Sequence, residues 1–316
     1  MTRKLILDLD TGIDDALAIA YALGSPEAEL IGITTTYGNV LVEDSARNSL
    51  AVLDLLGAPH VPVYPGLPHA LARDGFEVLE ISAFIHGRNG VGDVALTPSP
   101  RAAEGTSAVD FIIEASRTHG EDLVYVPTGP LTNLAAALEK DPGLAQRLTV
   151  VLMGGALTVS GNVSPWSEAN ISQDPEAADA VLRSGVSATM VGLDVTLQTL
   201  LTYEHTRRWR DLGTAAGTFL ADMTDYYIRA YETTAPGLGG CGLHDPLAVG
   251  VAVDPSLVTM LPINLAVDLA GPTRGRTIGD VARLSAPRTS RAAVAVDAER
   301  FLAEFMSRIT ALARGR

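Results

Sequence analysis

Short apolar runs alternate with stretches of helical apolar spacing through the first half of this chain and beyond, and that alternation leaves few architectures open. Residues 4–8, 30–36, 61–64, 123–126, 148–153 and 188–191 read as buried strands, and residues 14–23, 42–56, 107–119, 131–139 and 175–183 as helices. Within 14–23, Ala16, Leu17, Ala20 and Leu23 recur at helical spacing, and Gly57 stands where the 42–56 helix should stop. Strands that alternate with helices build βαβ units. The expected fold is therefore α/β, with one open, mostly parallel sheet of Rossmann-like form covered by helices on both faces. Beyond it, 203–235 reads as mainly helical, 246–253 as a short helix, 257–268 and 292–296 as late strands and 297–313 as a closing helix. No low-complexity linker or internal repeat divides the sequence, so a single domain over 1–316 is expected.

Two segments, 65–102 and 154–174, carry no periodicity. Loops of this length in a compact domain usually serve function or move. Both follow predicted strands, which places them at the carboxyl edge of the sheet, where open parallel sheets bind ligands.

Composition narrows the function classes. Hydrophobic residues at 47% against charged residues at 19% allow a large core and argue against disorder. The apolar runs break well before the ~20 residues a spanning helix needs, and Met1-Thr2-Arg3-Lys4 turns acidic too soon for a secretory leader. A net charge of −14 disfavours a nucleic acid polymer, which needs a basic face, and reads most simply as solubility. The lone cysteine, Cys241, excludes an internal disulfide and a thiolate zinc cluster and suits a reducing cytoplasm.

Chemistry concentrates near the amino terminus. Leu7-Asp8-Leu9-Asp10-Thr11-Gly12-Ile13-Asp14-Asp15-Ala16 sets four carboxylates within eight residues. Asp8 and Asp10 share one side of a strand end, Gly12 permits a turn, and Asp14 and Asp15 open the next helix. A helix dipole rewards one or two of them by ~0.3–1 kcal/mol, not four. Clustered like charges must raise one another's pKa or take up a cation. A hard divalent ion, Ca²⁺ or Mg²⁺, fits oxygen ligands, and zinc is disfavoured without Cys or clustered His.

Here the sequence resembles the nucleoside hydrolase family, whose amino-terminal signature reads DxDPGxDDAxA. The four aspartates and Gly12 match; Leu9 and Thr11 depart, and Thr11 in place of Pro is expected to loosen the turn slightly. Further pieces follow in the family's order: Thr34-Thr35-Thr36-Tyr37-Gly38-Asn39, Ile85-His86-Gly87-Arg88-Asn89-Gly90, Pro127-Thr128-Gly129-Pro130-Leu131-Thr132-Asn133, Met153-Gly154-Gly155, Gly161-Asn162-Val163-Ser164-Pro165, Glu168-Ala169-Asn170 and Leu243-His244-Asp245-Pro246. Each is short, and the order makes them collectively specific.

The resemblance implies a calcium-dependent ribonucleoside N-ribohydrolase of nucleoside salvage, cytoplasmic and homodimeric or homotetrameric. Asp10, Asp15, Asp245 and the Thr128 carbonyl would hold Ca²⁺, and Asp10 would also take the proton from a calcium-bound water. Asp14, Asn39, Asn162, Glu168, Asn170 and Asp245 would grip the ribose, with the Met153 backbone nearby. His244 is the candidate acid toward the base and His86 a secondary one. Tyr227 and Tyr231, four apart on a predicted helix, read first as core packing, and by resemblance lie near the base. Asp8 is left supporting the turn.

Each feature also has a plainer reading. Asp-Pro pairs usually mark a helix cap; Asp174 is read that way, and Asp245 would be without His244 beside it. Asn162 and Asn170 could be turn residues. His60, His69, His119 and His205 have no supporting context. The family commonly has Phe where this chain has Ala169, with Trp166 close by. That difference leads to the expectation of a pocket that takes a modified or bulkier ribose, or of Trp166 stacking on a base.

Two rivals differ in class. Asp8-Leu9-Asp10-Thr11 also resembles the nucleophile loop of haloacid-dehalogenase-type phosphatases, which need a lysine to hold phosphate, and the chain offers only Lys4 and Lys140. A non-catalytic, calcium-dependent nucleoside- or ribose-binding protein would need no positioned acid or base.

Overall fold

The computed structural model describes residues 2–315. The chain enters through β1 (Arg3–Leu9), α1 (Ile13–Leu23), β2 (Ala28–Thr35), α2 (Val42–Leu55), β3 (Val63–Pro65), α3 (Glu80–His86) and α4 (Ala108–His119). It continues through β4 (Leu123–Pro127), α5 (Thr132–Lys140), β5 (Thr149–Met153), α6 (Ala169–Gln173), α7 (Pro175–Arg183), β6 (Ser187–Val191) and α8 (Leu193–Thr196). The remainder comprises β7 (Leu200–Leu201), α9 (Tyr203–Arg210), α10 (Ala215–Thr234), β8 (Cys241–Gly242), α11 (His244–Val253), β9 (Val258–Pro262), β10 (Leu265–Val267), β11 (Thr277–Gly279), β12 (Ser290–Val296) and α12 (Ala298–Ala313).

Eight strands form one sheet in the order β3-β2-β1-β4-β5-β6-β12-β9. All neighbours run parallel except the edge strand β9, which pairs antiparallel with β12. Alternation along β1 decides which face each residue serves: Leu5, Leu7 and Leu9 enter one core, and Ile6 enters the other. The first core gathers α1, α11 and α12, and the second α4, α5 and α7. α1 is apolar around nearly its whole circumference because it is enclosed, with Ile13 through Ala22 all buried between the sheet and α11 and α12.

The order reverses between β1 and β4. From β1 the chain builds outward through β2 and β3, then returns to place β4 on the other side of β1. The carboxyl ends of β1 and β4 therefore flank a crevice at a switch point.

The α/β expectation holds, and three local ones need correcting. The segment 257–268 is not one strand: β9 joins the main sheet, while β10 pairs only with β11. The aperiodic 65–102 segment contains α3, whose seven residues bury only Ser82 and His86 and so show no apolar stripe. The helix expected from Pro246 begins at His244, so Asp245 lies inside its first turn and Leu243 is the cap position. Asp174 does cap α7, accepting from the Ala177 amide at 3.0 Å.

Candidate active site

Five strand ends supply the crevice. Beyond β1, Asp10 Oδ2 accepts the Asn39 amide at 2.6 Å, and Asn39 follows β2. This approach requires glycine at 38, where an added Cβ would lie 2.0 Å from Asp10 Oδ2. Gly12 has a similar task, since a Cβ there would meet His86 Nδ1 at 2.5 Å. Its amide donates to Asp15 Oδ2 at 2.8 Å, which pins Asp15 on the first turn of α1.

Thr11 does not loosen this turn. Its amide donates to Ser45 Oγ at 3.1 Å, its hydroxyl lies 2.7 Å from Ser49 Oγ, and Asn48 donates to its carbonyl at 3.3 Å. Proline would supply a fixed φ and lose the first two contacts. Thr11→Pro is therefore expected to destabilise the protein by roughly 1–3 kcal/mol through stranded buried hydroxyls, read by urea unfolding. A gain in stability would contradict this anchoring.

Asp8, Asp10, Asp14, Asp15 and Asp245 are all buried. Oxygens of Asp14, Asp15 and Asp245 converge within 4.8 Å of one another. Burial, then the charge of neighbouring carboxylates, pushes Asp15 up to about 6 and Asp10 and Asp245 well above the carboxylate range. Burial also raises Asp14. Asp10 Oδ1 and Asp14 Oδ1 find no hydrogen-bond partner among the described residues. The converging Asp14, Asp15 and Asp245, with unpartnered buried oxygens on Asp14 and on nearby Asp10, fit a hard divalent cation, and the absence of thiolates from the set disfavours zinc. Asp8 stands behind them. It is pushed up to about 6 by burial against the opposing effect of bonds from Thr34 (2.7 Å) and Asn133 (2.9 Å).

β4 and β5 add the next wall. Thr128 Oγ1 donates to Asp15 Oδ1 at 2.7 Å. The Thr128 carbonyl accepts from Asn170 Nδ2 at 2.7 Å, and the same amide reaches the Met153 carbonyl at 3.2 Å. Glu168 spends both oxygens on backbone: Oε1 accepts from the Asn170 amide, and Oε2 from those of Gly155 and Ile171. Burial still raises its pKa. In this arrangement Glu168 shapes the loop from Gly154 to α6.

The opposite wall is aromatic and imidazole. Tyr227 Oη donates to Asp14 Oδ2 at 3.1 Å, and the rings of Tyr227 and Tyr231 meet edge-on with centroids 4.9 Å apart. Tyr231 Oη lies 2.6 Å from His244 Nε2, and His244 Nδ1 lies 2.7 Å from Thr196 Oγ1. His86 Nδ1 accepts from the Ile13 amide at 3.2 Å, which leaves Nε2 to carry the ring proton. Burial lowers His86 to about 4, so its 3.8 Å approach to Asp14 is a contact of a neutral ring and not an ion pair. Burial lowers His244 also, against the pull of Asp14.

The expected residues thus gather in one crevice, with two exceptions. Asn162 is exposed and accepts from the Ala169 amide at 3.0 Å, so it braces the start of α6. Trp166 is exposed, with the Arg276 guanidinium 5.2 Å from its ring centroid. Sequence reasoning missed Thr196, and its position just beyond β6 was the available signal.

The sequence model of the family described as "Inosine-uridine preferring nucleoside hydrolase" matches residues 5–303. The chain belongs to the nucleoside hydrolase family. A solved structure of a "Purine-Preferring Ribonucleoside Hydrolase from Gardnerella vaginalis" shares 68% identity with a TM-score of 0.98, over 99% of both chains. The "Inosine-uridine preferring nucleoside hydrolase" of Leishmania major is 39% identical over 94% of this chain and 93% of its own length. "Uridine nucleosidase 1" of Arabidopsis thaliana is 38% identical over 88% and 82%. As a nucleoside hydrolase, the chain is an enzyme for the N-glycosidic bond of ribonucleosides. The phosphatase alternative fails on the same chemistry that raised it: Lys4 pairs with Glu29, and Lys140 with Asp110 on the surface, so neither stands in the nucleoside hydrolase crevice. Among the described residues no helix is long and apolar enough to cross a membrane.

Proposed function

We propose that this enzyme hydrolyses ribonucleosides to free base and ribose with Ca²⁺ held by Asp10, Asp15, Asp245 and the Thr128 carbonyl. The observation that carries the reading is the set of buried carboxylates with unpartnered oxygens at the switch point. Calcium bound there would lower the pKa of the attacking water. Asp10, fixed by the Asn39 amide, would take the proton of the attacking water. Asp14, Asn39 and Asn170 would grip the ribose, and Asp245 would hold the ion and contact the sugar. Glu168 and Asn162 hold the loop that closes over it, and Met153 offers its backbone. His244 protonates the departing base, with His86, Tyr227 and Tyr231 lining the base side and Trp166 at the rim. The logic is that of inverting glycoside hydrolysis, in which one group activates water and another assists departure.

The 68% identity to the purine-preferring Gardnerella vaginalis enzyme supports purine nucleosides as the preferred class. Assay of free ribose from inosine, guanosine, adenosine, uridine and cytidine tests it, and a pyrimidine preference would overturn it. Half-buried Ala169 at the start of α6 supports tolerance of a modified ribose. Ala169→Phe is expected to lower kcat/KM for 2′- or 5′-modified nucleosides by roughly tenfold relative to unmodified ones; an unchanged profile would remove Ala169 from substrate choice. Homodimer or homotetramer formation is supported by the exposed apolar Val281 and Leu284, and light scattering tests it.

A further inference from the structure

His244 is held at both ring nitrogens, and only one of its partners lies on the side of the tyrosine pair. Nε2 is 2.6 Å from Tyr231 Oη, and Nδ1 is 2.7 Å from Thr196 Oγ1. Thr196 is completely buried at the end of α8. Backbone bonds fix its place: the Thr196 amide donates to Gly192 at 3.1 Å, Leu193 to Gly155 at 2.9 Å, and Leu243, next to His244, to Thr199 at 2.8 Å. The Thr196 hydroxyl and the His244 ring are thus set against each other by main chain from two separate elements.

The chemistry of the two hydroxyls assigns the ring proton. A phenol is a stronger donor than an aliphatic alcohol and a weaker acceptor, because its oxygen lone pair is shared with the ring. Tyr231 therefore donates to Nε2, and Nδ1–H donates to Thr196 Oγ1. We propose that Thr196 is a positioning residue for base departure: by accepting from Nδ1–H it fixes the His244 tautomer and keeps Nε2, beside Tyr231, as the nitrogen that exchanges protons. This rests on His244 as the acid. In the step itself the ring takes a second proton from solvent at Nε2; Nε2–H then passes that proton to the Tyr231 oxygen as the Tyr231 hydroxyl proton passes to the base nitrogen. The C–N bond breaks with its electron pair going to the base, and the ring returns to the Nδ1–H tautomer without releasing Thr196.

The test compares wild type, Thr196→Val and Thr196→Ser on inosine and on 4-nitrophenyl β-ribofuranoside, whose nitrophenolate leaves without a proton. Thr196→Val is expected to lower kcat on inosine by roughly 10–100-fold with KM within about threefold, and to leave the nitrophenyl substrate within about threefold. Thr196→Ser should restore inosine turnover. Equal losses on both substrates, unchanged inosine turnover, or no rescue by serine would overturn the proposal. Nitrogen-15 shifts of His244 in the wild-type protein, assigned by their loss in His244→Gln, give an independent reading that needs no folded Thr196 variant. A neutral ring protonated at Nδ1 is expected, and protonation at Nε2 would overturn the assignment. If wild type released no base from any nucleoside, the acid role would fail while the nitrogen shifts still tested Thr196.

Discussion

Asp10→Asn should lose turnover by roughly 10³-fold or more while becoming more stable than wild type in the absence of metal. The two effects share one cause. The amide oxygen of asparagine still accepts the Asn39 amide, so the turn after β1 survives. What disappears is a negative charge buried among Asp14, Asp15 and Asp245, whose mutual repulsion and desolvation raise every pKa in the group. Removing one charge relieves the metal-free protein. It also removes the base for water, for which general-base assistance accounts for about 10²–10⁴-fold, together with one calcium ligand. Single-turnover base release and metal-free urea unfolding read the two halves. Near-wild-type turnover would end the assignment of Asp10 as base, and a loss of metal-free stability would show that the cluster is not under charge strain.

Calcium removal should make stability depend on pH in the opposite sense to ordinary acid denaturation. Asp8 and Asp15 move from 3.8 to about 6 on folding, and burial among like charges raises Asp10 and Asp245 as well. The folded state therefore binds more protons than the unfolded chain above pH 4. The stability from these raised values is fully present below the unfolded value and is lost as pH rises through the folded ones. A group moved to about 6 contributes on the order of 3 kcal/mol, and coupling prevents simple addition. The metal-free protein should melt higher near pH 5 than near pH 7.5. Calcium at 100 to 1,000 times its Kd should restore roughly 3–4 kcal/mol at neutral pH, a rise of roughly 5–10 °C. Melting curves at both pH values, with EDTA and with Ca²⁺, check this; a metal-free protein more stable at pH 7.5 than at 5 would contradict it.

The parts of the fold that sequence revealed are those where burial has a period. Leu5, Leu7 and Leu9 against Ile6 spell a strand buried on both faces, and Ala16, Leu17 and Ala20 spell the helix behind it. α3 was illegible because its apolar Ile81 and Phe84 are exposed and its buried residues are Ser82 and His86. The start of α11 was misplaced because Asp-Pro normally marks a cap, whereas Asp245 turns inward from the first helical turn toward Asp14 and Asp15. The site was legible where chemistry forced residue types together, as in Asp10-Thr11-Gly12-Ile13-Asp14-Asp15. It was less so where long-range packing did the work. Nothing local marks Tyr231 and Thr196 as the two partners of His244, because their contacts arise only when α8, α10 and α11 converge.

Base release from inosine by calcium-stripped protein tests most directly whether the aspartate cluster works through a bound metal. The prediction is no detectable hypoxanthine or ribose in EDTA and full recovery on adding Ca²⁺. Undiminished turnover by protein shown by elemental analysis to be free of metal would contradict it.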